Sequence, residues 1–404
     1  MVSQEMIRTF ILLMFWLSFG LLFYVYLGFP LFLFLFAKSR RGQTHPERPL
    51  PFVTLLISAY NESAVIGQKL ANSLSLDYPK ELLQIIVISD CSDDGTDEIV
   101  GTYVSNGIQL VRQMERRGKA AGLNLGLQEA KGEILVFSDA NAIYQSDAVR
   151  RLVVHFGDPA AGYVVGSARY RDSEDQVSSA DSEGLYWKFE SWVKERESNF
   201  GSVVGGDGAL YAIRRQLYEP LRPTDINDLL HPLQIILKGY RGIYEPEAIC
   251  HETAGDSFEK EFRRKVRIVS RSCNAVRRVW PVLLPWNQFR HWLCLISHKL
   301  FRWAAPFFLL VLAVSSIPLW SSMFYRVIVL LQLFFYFLAV IGWFTKGRGP
   351  RLVYLPYYFC VVNLASFLGL LKSFGGSLSS TWQTVRHEES APTADTDPLA
   401  RREF

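Results

Sequence analysis

Two oxygen-bearing side chains follow an apolar run near the middle of the chain, in the sequence Phe-Ser-Asp-Ala-Asn at residues 137–141. The run Ile134–Phe137 is short and β-rich, which predicts a buried strand of a parallel sheet. Open α/β sheets bind ligands at the carboxyl ends of their strands, and residues two apart in an extended chain face the same way. Asp139 and Asn141 are therefore candidate ligands for Mg²⁺ or Mn²⁺ bridging a diphosphate. The alternative is a strand end with a solvated aspartate and a turn-forming asparagine.

The elements that must position these side chains begin at Phe52, where strands and helices start to alternate. This alternation predicts an α/β fold with a parallel sheet and right-handed crossovers. The predicted strands are Phe52–Ser58, Leu83–Ser89, Gln109–Val111 and Ile134–Phe137, and the predicted helices are Ser63–Ser73, Asp97–Asn106 and Ala120–Ala130.

Four polar motifs follow these strands, and together they resemble the family 2 glycosyltransferases of GT-A fold. The resemblance covers roughly residues 52–271, and the apolar segments on either side are similar to the membrane-bound branch that includes cellulose, chitin and hyaluronan synthases. It implies a Rossmann-like nucleotide-sugar domain with a mainly parallel sheet, inserted between transmembrane helices. The motifs are Tyr60-Asn61-Glu62, Ser89-Asp90-Cys91-Ser92-Asp93-Asp94-Gly95-Thr96, Gly118-Lys119-Ala120-Ala121-Gly122-Leu123-Asn124 and Asp139-Ala140-Asn141.

The resemblance implies a nucleotide-sugar donor, with a UDP-linked sugar expected. Asp90 at a strand end would accept the imide N–H of uridine, and the segment Tyr60, Asn61 and Glu62 would lie beside the ribose. Lys119, which follows a glycine at a helix start, would neutralise a phosphate. The alternatives are an Asx-type turn at Asp90 and a solvated cation at Lys119.

The acceptor side of the domain is expected between residues 182 and 213. Ser182–Phe200 alternates aromatic and charged residues and predicts an amphipathic helix. It is followed by Gly-Gly-Asp-Gly at residues 205–208. The resemblance implies that this segment, with Asp207, borders the acceptor sugar. Core packing and a turn are the alternative for the aromatic residues.

A candidate general base lies in the sequence Thr-Asp-Ile-Asn-Asp at residues 224–228. It resembles the family's Thr-Glu-Asp motif, whose last aspartate is the catalytic base, so Asp228 is the candidate and Asp225 the second choice. Such a base removes the proton of the acceptor hydroxyl as it attacks the anomeric carbon. Asn227 replaces the usual glutamate. The alternative is a helix cap before the predicted helix Leu229–Lys238.

Three later residues complete the expected site. His251 is a weaker candidate metal ligand, and a structural histidine is the alternative. Arg264 and Arg267 occupy the arginine places of the family's Gln/Arg-x-x-Arg-Trp element, where cations would hold the leaving diphosphate. Ile268 stands where processive synthases carry tryptophan. A basic face against anionic lipid is the alternative for this helix and the preferred interpretation for three further residues: Arg271, Arg277 and Arg278.

Composition and charge predict a membrane protein with a soluble middle. Hydrophobic residues make up 49% of the chain, aromatic residues 14%, and the net charge is only +4, so no nucleic-acid partner is expected. Five scattered cysteines without CxxC spacing are typical of a reduced, cytosolic domain. The run Ile7–Phe36 predicts a transmembrane helix within residues 1–41, kinked near Gly28 and Pro30. Lys38, Arg40 and Arg41 then place residues 42–51, a linker, and the domain 52–280 on the cytosolic side.

The C-terminal part of the chain predicts an amphipathic interfacial helix at residues 281–302 and three transmembrane helices at residues 303–372. A basic loop at residues 346–351 is expected in the cytosol, which leaves a disordered tail, residues 373–404, outside. The expected location is therefore the cytoplasmic membrane. The predicted spans are Trp303–Trp320, Val327–Phe344 and Val353–Leu371.

Three functions fit these observations. The first is a polymer-forming exopolysaccharide synthase, which the interfacial helix and the transmembrane helices favour. The second is a single-addition transferase with a lipid-linked acceptor, which Ile268 favours. The third is a non-catalytic nucleotide-sugar-binding or translocating subunit, against which the intact Asp90, Asp139 and Asp228 argue. Expected partners are the nucleotide sugar, a glycan or lipid-linked acceptor and the bilayer, with a homo-oligomer or accessory export subunits as further candidates.

Overall fold

The computed structural model describes residues 4–37, 49–171, 177–253, 258–280, 288–345 and 350–375. The helices are α1 (Gln4–Phe23), α2 (Phe29–Phe36), α3 (Ser63–Leu74), α4 (Thr96–Gly101), α5 (Lys119–Glu129), α6 (Ala148–Val153), α7 (Val177–Phe200), α8 (Asn227–Leu237), α9 (Phe258–Val279), α10 (Phe289–Cys294), α11 (Phe301–Ser316), α12 (Met323–Phe344) and α13 (Arg351–Phe374). The strands are β1 (Val53–Ala59), β2 (Leu83–Ser89), β3 (Ile108–Arg112), β4 (Ile134–Asp139), β5 (Ile143–Tyr144), β6 (Ala161–Arg171), β7 (Tyr211–Arg214) and β8 (Arg241–Thr253).

The strands form one mixed sheet of eight, in the order β3-β2-β1-β4-β7-β6-β8-β5. The first four in this order are parallel, as the alternating pattern predicts, whereas β7 pairs antiparallel with both β4 and β6. In the register, Ala59 lies opposite Ser89 and Ser58 lies opposite Asp139. The carboxyl ends of β1, β2 and β4 therefore meet at one edge, and the polar motifs that follow them meet there too.

The sheet is buried on both faces, which explains why its central strands read as continuous apolar runs. All seven residues of β1 are buried. Leu56 belongs to the core on one face, and Leu55 and Ile57 belong to the core on the other. Successive side chains point to opposite faces, so each strand supplies both cores.

Four helical segments are long and apolar enough to cross a membrane: Gln4–Phe36, Phe289–Leu319, Met323–Phe344 and Arg351–Phe374. One precedes the sheet and three follow it, as expected. A π-helical turn at Tyr24–Gly28 lies at the position of the predicted kink, and Pro30 follows it within the same continuous helix, where it cannot donate the usual backbone hydrogen bond.

The C-terminal side differs from the expectation. Phe289–Leu319 is one continuous helix that includes a π-helical turn at Leu295–Leu300, so the expected interfacial helix is not a separate element. Its first turns belong to the core of the domain, through Cys294 and Leu295, and Leu33 of α2 joins the same core. The predicted boundary at residue 280 therefore divides one packed unit. Residues 281–287, most of the linker, the basic loop at 346–349 and the tail from 376 lie outside the described residues.

Candidate active site

The loops after β1 and β2 are joined by hydrogen bonds. The Asn61 backbone lies in the left-handed region with φ 51°, and its amide side chain donates to Asp93 at 2.8 Å. Asp94 accepts from the Ser63 backbone N–H at 2.9 Å, and the Glu62 N–H donates to Thr96 at 2.8 Å. These bonds fix the two polar motifs against each other, so the predicted ribose-side segment Tyr60–Glu62 forms part of one rigid edge.

Asp90 is 2% exposed, and its side chain holds the loop that precedes α5. Its carboxylate accepts hydrogen bonds from the backbone N–H groups of Arg117, at 2.9 Å, and Gly118, at 3.0 Å, and from the Gln113 amide at 2.7 Å. Burial raises the pKa of Asp90, although these donors oppose the shift. The Asx-turn alternative is wrong, because Asp94 accepts from the Thr96 N–H before α4 instead.

Arg116 is a residue that the motifs did not single out. Its guanidinium lies 3.8 Å from the centre of the Tyr60 ring, in cation–π contact. The same charge favours the ionised form of Asp90. Arg116 thus links the first two motifs to the loop before Lys119. Its position in the sequence, between Glu115 and Arg117, does not indicate this role.

The centre of the site is where three charged residues meet around Gly208. Lys119, the first residue of α5, forms an ion pair with Asp139. A Cβ atom added to Gly208 would lie 3.4 Å from Asp228 Oδ2, and 3.7 Å from both Asp139 Oδ2 and Lys119 Nζ. The candidate base therefore borders the same position as the metal ligand and the phosphate lysine, although it lies 89 and 109 residues after them in the chain.

Asp228 lies in the first turn of α8, whose N-cap is Ile226. The predicted cap role of Asp228 is therefore wrong, although a carboxylate in the first turn still complements the helix dipole. Burial raises the pKa of Asp228 to about 6, Lys119 opposes the shift, and the charges of Asp207 and Asp139 add to it. A carboxylate with this pKa is well suited to accept a proton near neutral pH.

The neighbours of Asp228 in its motif have structural contacts. Asp225 has a fully buried side chain, forms an ion pair with Arg278 and accepts from the Arg222 N–H at 2.6 Å. These contacts support Asp228 over Asp225 as the base. Asn227, in the place of the family's glutamate, donates to the Tyr211 hydroxyl at 2.8 Å, and Tyr211 is bonded to His231. Asn227 therefore forms part of a buried hydrogen-bond network with Tyr211 and His231.

Asp207 lies on the same side of the site, 3.6 Å from Lys194 of α7. Glu252 of β8 is a further carboxylate that the sequence pattern did not reveal, because it lies in no motif. It is buried, and burial raises its pKa to about 8, with added repulsion from Asp207 and Asp139. The adjacent His251 lies opposite Ile143 in the β5–β8 pair, two residues beyond Asn141.

The arginines of α9 face the carboxylates. Arg264 forms an ion pair with Glu261 at 2.8 Å. Burial and the charge of Arg264 lower the pKa of Arg267, whereas Asp139 and Asp228 favour its charged form. Both predicted diphosphate arginines thus lie within electrostatic reach of the site.

The lipid-facing interpretation is wrong for Arg271 and Arg278, whereas for Arg277 it stays a prediction. Arg271 is buried, which lowers its pKa to about 10, and it interacts with Asp228. Arg278 is the partner of Asp225, and Arg277 donates to the Ser373 carbonyl oxygen at 3.1 Å. Arg271 and Arg278 therefore point into the protein, whereas Arg277 is exposed and bonds to the end of the last helix.

The residues fit a divalent cation that is shared with a ligand. Among the described residues, no three histidine, cysteine, aspartate or glutamate side chains are grouped to hold an ion alone. However, the carboxyl groups of Asp139, Asp207 and Glu252 lie within electrostatic reach of one another, because Asp207 and Asp139 add to the burial that raises the pKa of Glu252. The turn that carries Asn141 begins at Asp139, whose carbonyl accepts from the Ala142 N–H at 3.2 Å. Asp139 and Asn141 provide hard oxygen donors, and phosphate oxygens would complete the shell.

Comparison with known proteins confirms the family resemblance. Residues 54–222 match the model of glycosyl transferase family 2, so the chain carries a family 2 glycosyltransferase domain. The fold is also that of a solved structure, the mannosyltransferase PcManGT from Pyrobaculum calidifontis in complex with GDP-Man and Mn²⁺. The TM-score is 0.71, the identity is 22%, and the match covers 91% of this chain and 98% of that chain. The GT-A-like fold class is thus confirmed.

Two curated relatives match the domain. The poly-beta-1,6-N-acetyl-D-glucosamine synthase of Staphylococcus aureus (strain COL) is 28% identical over 221 residues, which are 53% of each chain. The probable glycosyltransferase YdaM of Bacillus subtilis (strain 168) is 29% identical over 242 residues, 54% of this chain and 55% of the relative. The chain therefore spans about half the length of these curated relatives.

Proposed function

We propose that the protein is a membrane-bound inverting glycosyltransferase. It moves a hexosyl or N-acetylhexosaminyl group from a nucleotide sugar, expected to be UDP-linked, to a polysaccharide or lipid-linked glycan. The observation that carries this proposal is the meeting of Lys119, Asp139 and Asp228 around the open position at Gly208. A displacement at an anomeric carbon requires three such groups. Asp228 would act as the base, Asp139 as the ligand of the metal ion, and Lys119 as the cation that neutralises the diphosphate.

Each group has one role in the proposed reaction. Asp228 accepts the proton of the acceptor hydroxyl while its oxygen attacks the anomeric carbon and the nucleoside diphosphate leaves from the opposite face. This single in-line displacement inverts the anomeric configuration. Lys119, Arg264 and Arg267 stabilise the charge of the departing diphosphate. Mg²⁺ or Mn²⁺, held by Asp139 and Asn141, would add positive charge to the same phosphates, and His251 is a further candidate ligand.

Polymer formation and single addition remain the two forms of this function. The Staphylococcus aureus relative is a polymer synthase, which supports the first. Ile268 supports the second, because this side chain is 38% exposed on α9 at the place where processive synthases carry tryptophan. The chain length of radiolabelled product, resolved on a gel, separates the two.

The proposal is tested with the full-length protein in detergent and a panel of nucleotide sugars. We expect nucleoside diphosphate release with one UDP-sugar in Mn²⁺, its loss in excess EDTA, and its loss in Asp139→Ala. Asn141→Asp should lower the Mn²⁺ concentration needed for half-maximal rate. The matched control is Asp147→Asn, a similarly exposed aspartate that lies outside the motifs and pairs with Arg151. Full activity in EDTA would remove the metal from the mechanism, and no release with any donor would favour the non-catalytic subunit.

A further inference from the structure

The last helix, α13, has 24 residues and is about 36 Å long, enough to cross a bilayer. We propose that it does not cross. Instead, both of its ends lie on the side of the membrane that faces the family 2 domain, and its outer face contacts the acyl chains of one leaflet. The tail after residue 375 then emerges on the same side as Asp228, opposite to what the charge pattern predicts.

The C-terminal end of α13 is bound to the domain. The Ser373 carbonyl oxygen accepts a hydrogen bond from Arg277 at 3.1 Å, and the Phe374 ring lies 5.0 Å from the same guanidinium. Arg277 is in the last turn of α9. Its neighbour Arg278 forms the ion pair with Asp225, in the loop of the candidate base. The end of α13 is therefore bonded directly to α9, the helix that carries Arg264 and Arg267.

The N-terminal end of α13 lies on the same side because of the direction of α12. Near its start, the Tyr325 ring lies 4.7 Å from Phe15 of α1. Ten residues later, Phe335 contacts Phe359, which also contacts Tyr26. Since Tyr26 is eleven residues after Phe15, α12 runs alongside α1 in the same direction.

The direction of the first helix is toward the domain. It continues to Ala37, whose carbonyl oxygen accepts a hydrogen bond from Arg196 of α7 at 3.5 Å. α12 therefore ends near the domain as well. The start of α13 packs there, because a Cβ atom added to Gly342 of α12 would lie 2.5 Å from the Tyr357 Cβ.

Between its ends, α13 contacts the halves of its neighbours that lie nearest the domain. The Phe367 ring is 5.0 Å from Phe307, which is six residues after the start of α11. On the other side, α13 packs closely on α9: a Cβ atom added to Gly369 would lie 2.8 Å from the Val269 Cβ and 3.0 Å from the Val266 carbonyl oxygen. A larger residue would force the two helices apart.

The two faces of α13 differ as this placement requires. The face toward the protein carries small or polar residues that are buried, among them Asn363, Ser366 and Ser373. The opposite face is apolar and exposed at helical spacing, which suits contact with acyl chains rather than water. Its residues are Leu352, Leu355, Leu364, Leu368 and Leu371.

The test compares three single cysteines in a folded full-length protein without native cysteines. Gln43→Cys lies before the domain and Ser321→Cys lies in the turn between α11 and α12. Thr393→Cys lies in the tail. We expect an impermeant thiol reagent to label Thr393→Cys together with Gln43→Cys, in the same vesicle orientation. Labelling together with Ser321→Cys would overturn the proposal. Because the comparison is internal, neither the absolute orientation nor the proposed reaction affects it.

A cross-link provides the second measurement. The Cys273 thiol of α9 interacts with the Ser373 side chain. With Cys273 as the only native cysteine retained, Ser373→Cys should form a disulfide under mild oxidation, detected after proteolysis between the two helices. Leu355→Cys, on the outer face, is the matched control and should form none. Absence of the Ser373→Cys cross-link in the folded protein would also overturn the proposal.

Discussion

At the scale of single residues, the site consists of charged side chains that shift one another's pKa values around the open position at Gly208. Gly208 leaves that position free, Asp228 faces it with a raised pKa, and Asp139 is neutralised by Lys119. These relations assign separate roles to residues that are chemically alike. Two substitutions test them directly.

The first is Asp228→Asn, which keeps the size of the side chain and removes its basicity. Glycosyl transfer should fall by roughly 10²–10⁴-fold, because that is the typical contribution of a general base. Binding of the nucleotide sugar, measured by calorimetry, should change little. A variant that retains wild-type turnover would place the base elsewhere.

The pH dependence follows from the raised pKa of Asp228. The base must be ionised, so kcat/KM should fall as the pH drops through about 6. Because the charge of Asp207 raises the pKa of Asp228, Asp207→Asn should move this acid limb to lower pH. An unmoved limb would show that another group controls it.

The second substitution is Gly208→Ala. Its methyl group would lie 3.4 Å from Asp228 Oδ2, an ordinary contact, so the fold should tolerate it. It would, however, occupy the space between the three charged groups. We expect a large loss of donor binding with an unchanged melting temperature. Gly101→Ala, where an added Cβ meets nothing within 4 Å, is the control.

At the scale of elements, buried polar contacts hold the loops that carry the site. The base loop is tied to α9 by Asp225 and Arg278, and the turn after β4 is tied to α3. In the second case, the Lys69 ammonium donates to the Ala142 carbonyl oxygen at 2.5 Å and lies 3.6 Å from the Tyr144 ring centre. Each contact fixes the backbone next to a residue of the candidate site, Asp228 in the first case and Asn141 in the second. Each therefore gives a prediction.

Asp225→Asn should destabilise the protein without removing the base. Loss of one charge leaves Arg278 without its buried partner, and breaking such a pair costs about 3–5 kcal/mol. We expect a lower melting temperature, whereas the turnover per folded molecule should stay far above that of Asp228→Asn. If Asp225→Asn is inactive and Asp228→Asn active, the assignment of the base is three residues out.

Lys69→Met should weaken metal binding through the turn that carries Asn141. Lys69 is fully buried, and its bond to Ala142 fixes the residue after Asn141. We expect Mn²⁺ affinity in the presence of UDP, measured by electron paramagnetic resonance, to fall about tenfold, which is ~1.4 kcal/mol. Leu70→Ala, the next residue on the same helix and equally buried, should lower stability but leave Mn²⁺ affinity unchanged. If the two substitutions lower Mn²⁺ affinity equally, Lys69 contributes only by packing.

At the scale of the whole molecule, the long apolar helices and the domain share a core. Glu190 of α7 is buried and pairs with Arg302 at 2.9 Å and with His298 at 3.1 Å. Burial alone would raise the pKa of Glu190, but these cations hold it well below its usual range. Glu197 forms a second bond to His298 at 2.8 Å. The helix at Phe289–Leu319 thus enters the domain as a structural part.

Residues 52–280 alone should therefore not form a stable domain. Their core would lose Leu33, Cys294 and Leu295, and Glu190 and Glu197 would lose their cationic partners. We expect the fragment to aggregate or to be cleaved rapidly by protease, while the full chain in the same detergent resists. A monomeric fragment that binds nucleotide would show that the apolar helices are dispensable for folding.

Much of this organisation was predictable from local patterns. The ends of the strands that carry the donor motifs are predicted within two residues, because buried parallel strands are continuous apolar runs that end in polar residues. The positions of Asp90, Lys119, Asp139 and Asp228 followed from their motifs. The four apolar helices followed from length and hydropathy alone. All of these are properties of neighbouring residues in the chain.

Only the tertiary structure decided which distant groups meet. Glu252, Lys69 and Arg116 lie in no recognisable motif, and their roles arise from contacts made across the fold. The faces of α9 that Arg271 and Arg277 occupy depend on what packs against them, which helical periodicity does not specify. The same holds for α13: apolar length permits a membrane crossing, but the bond between Ser373 and Arg277 determines where its end lies.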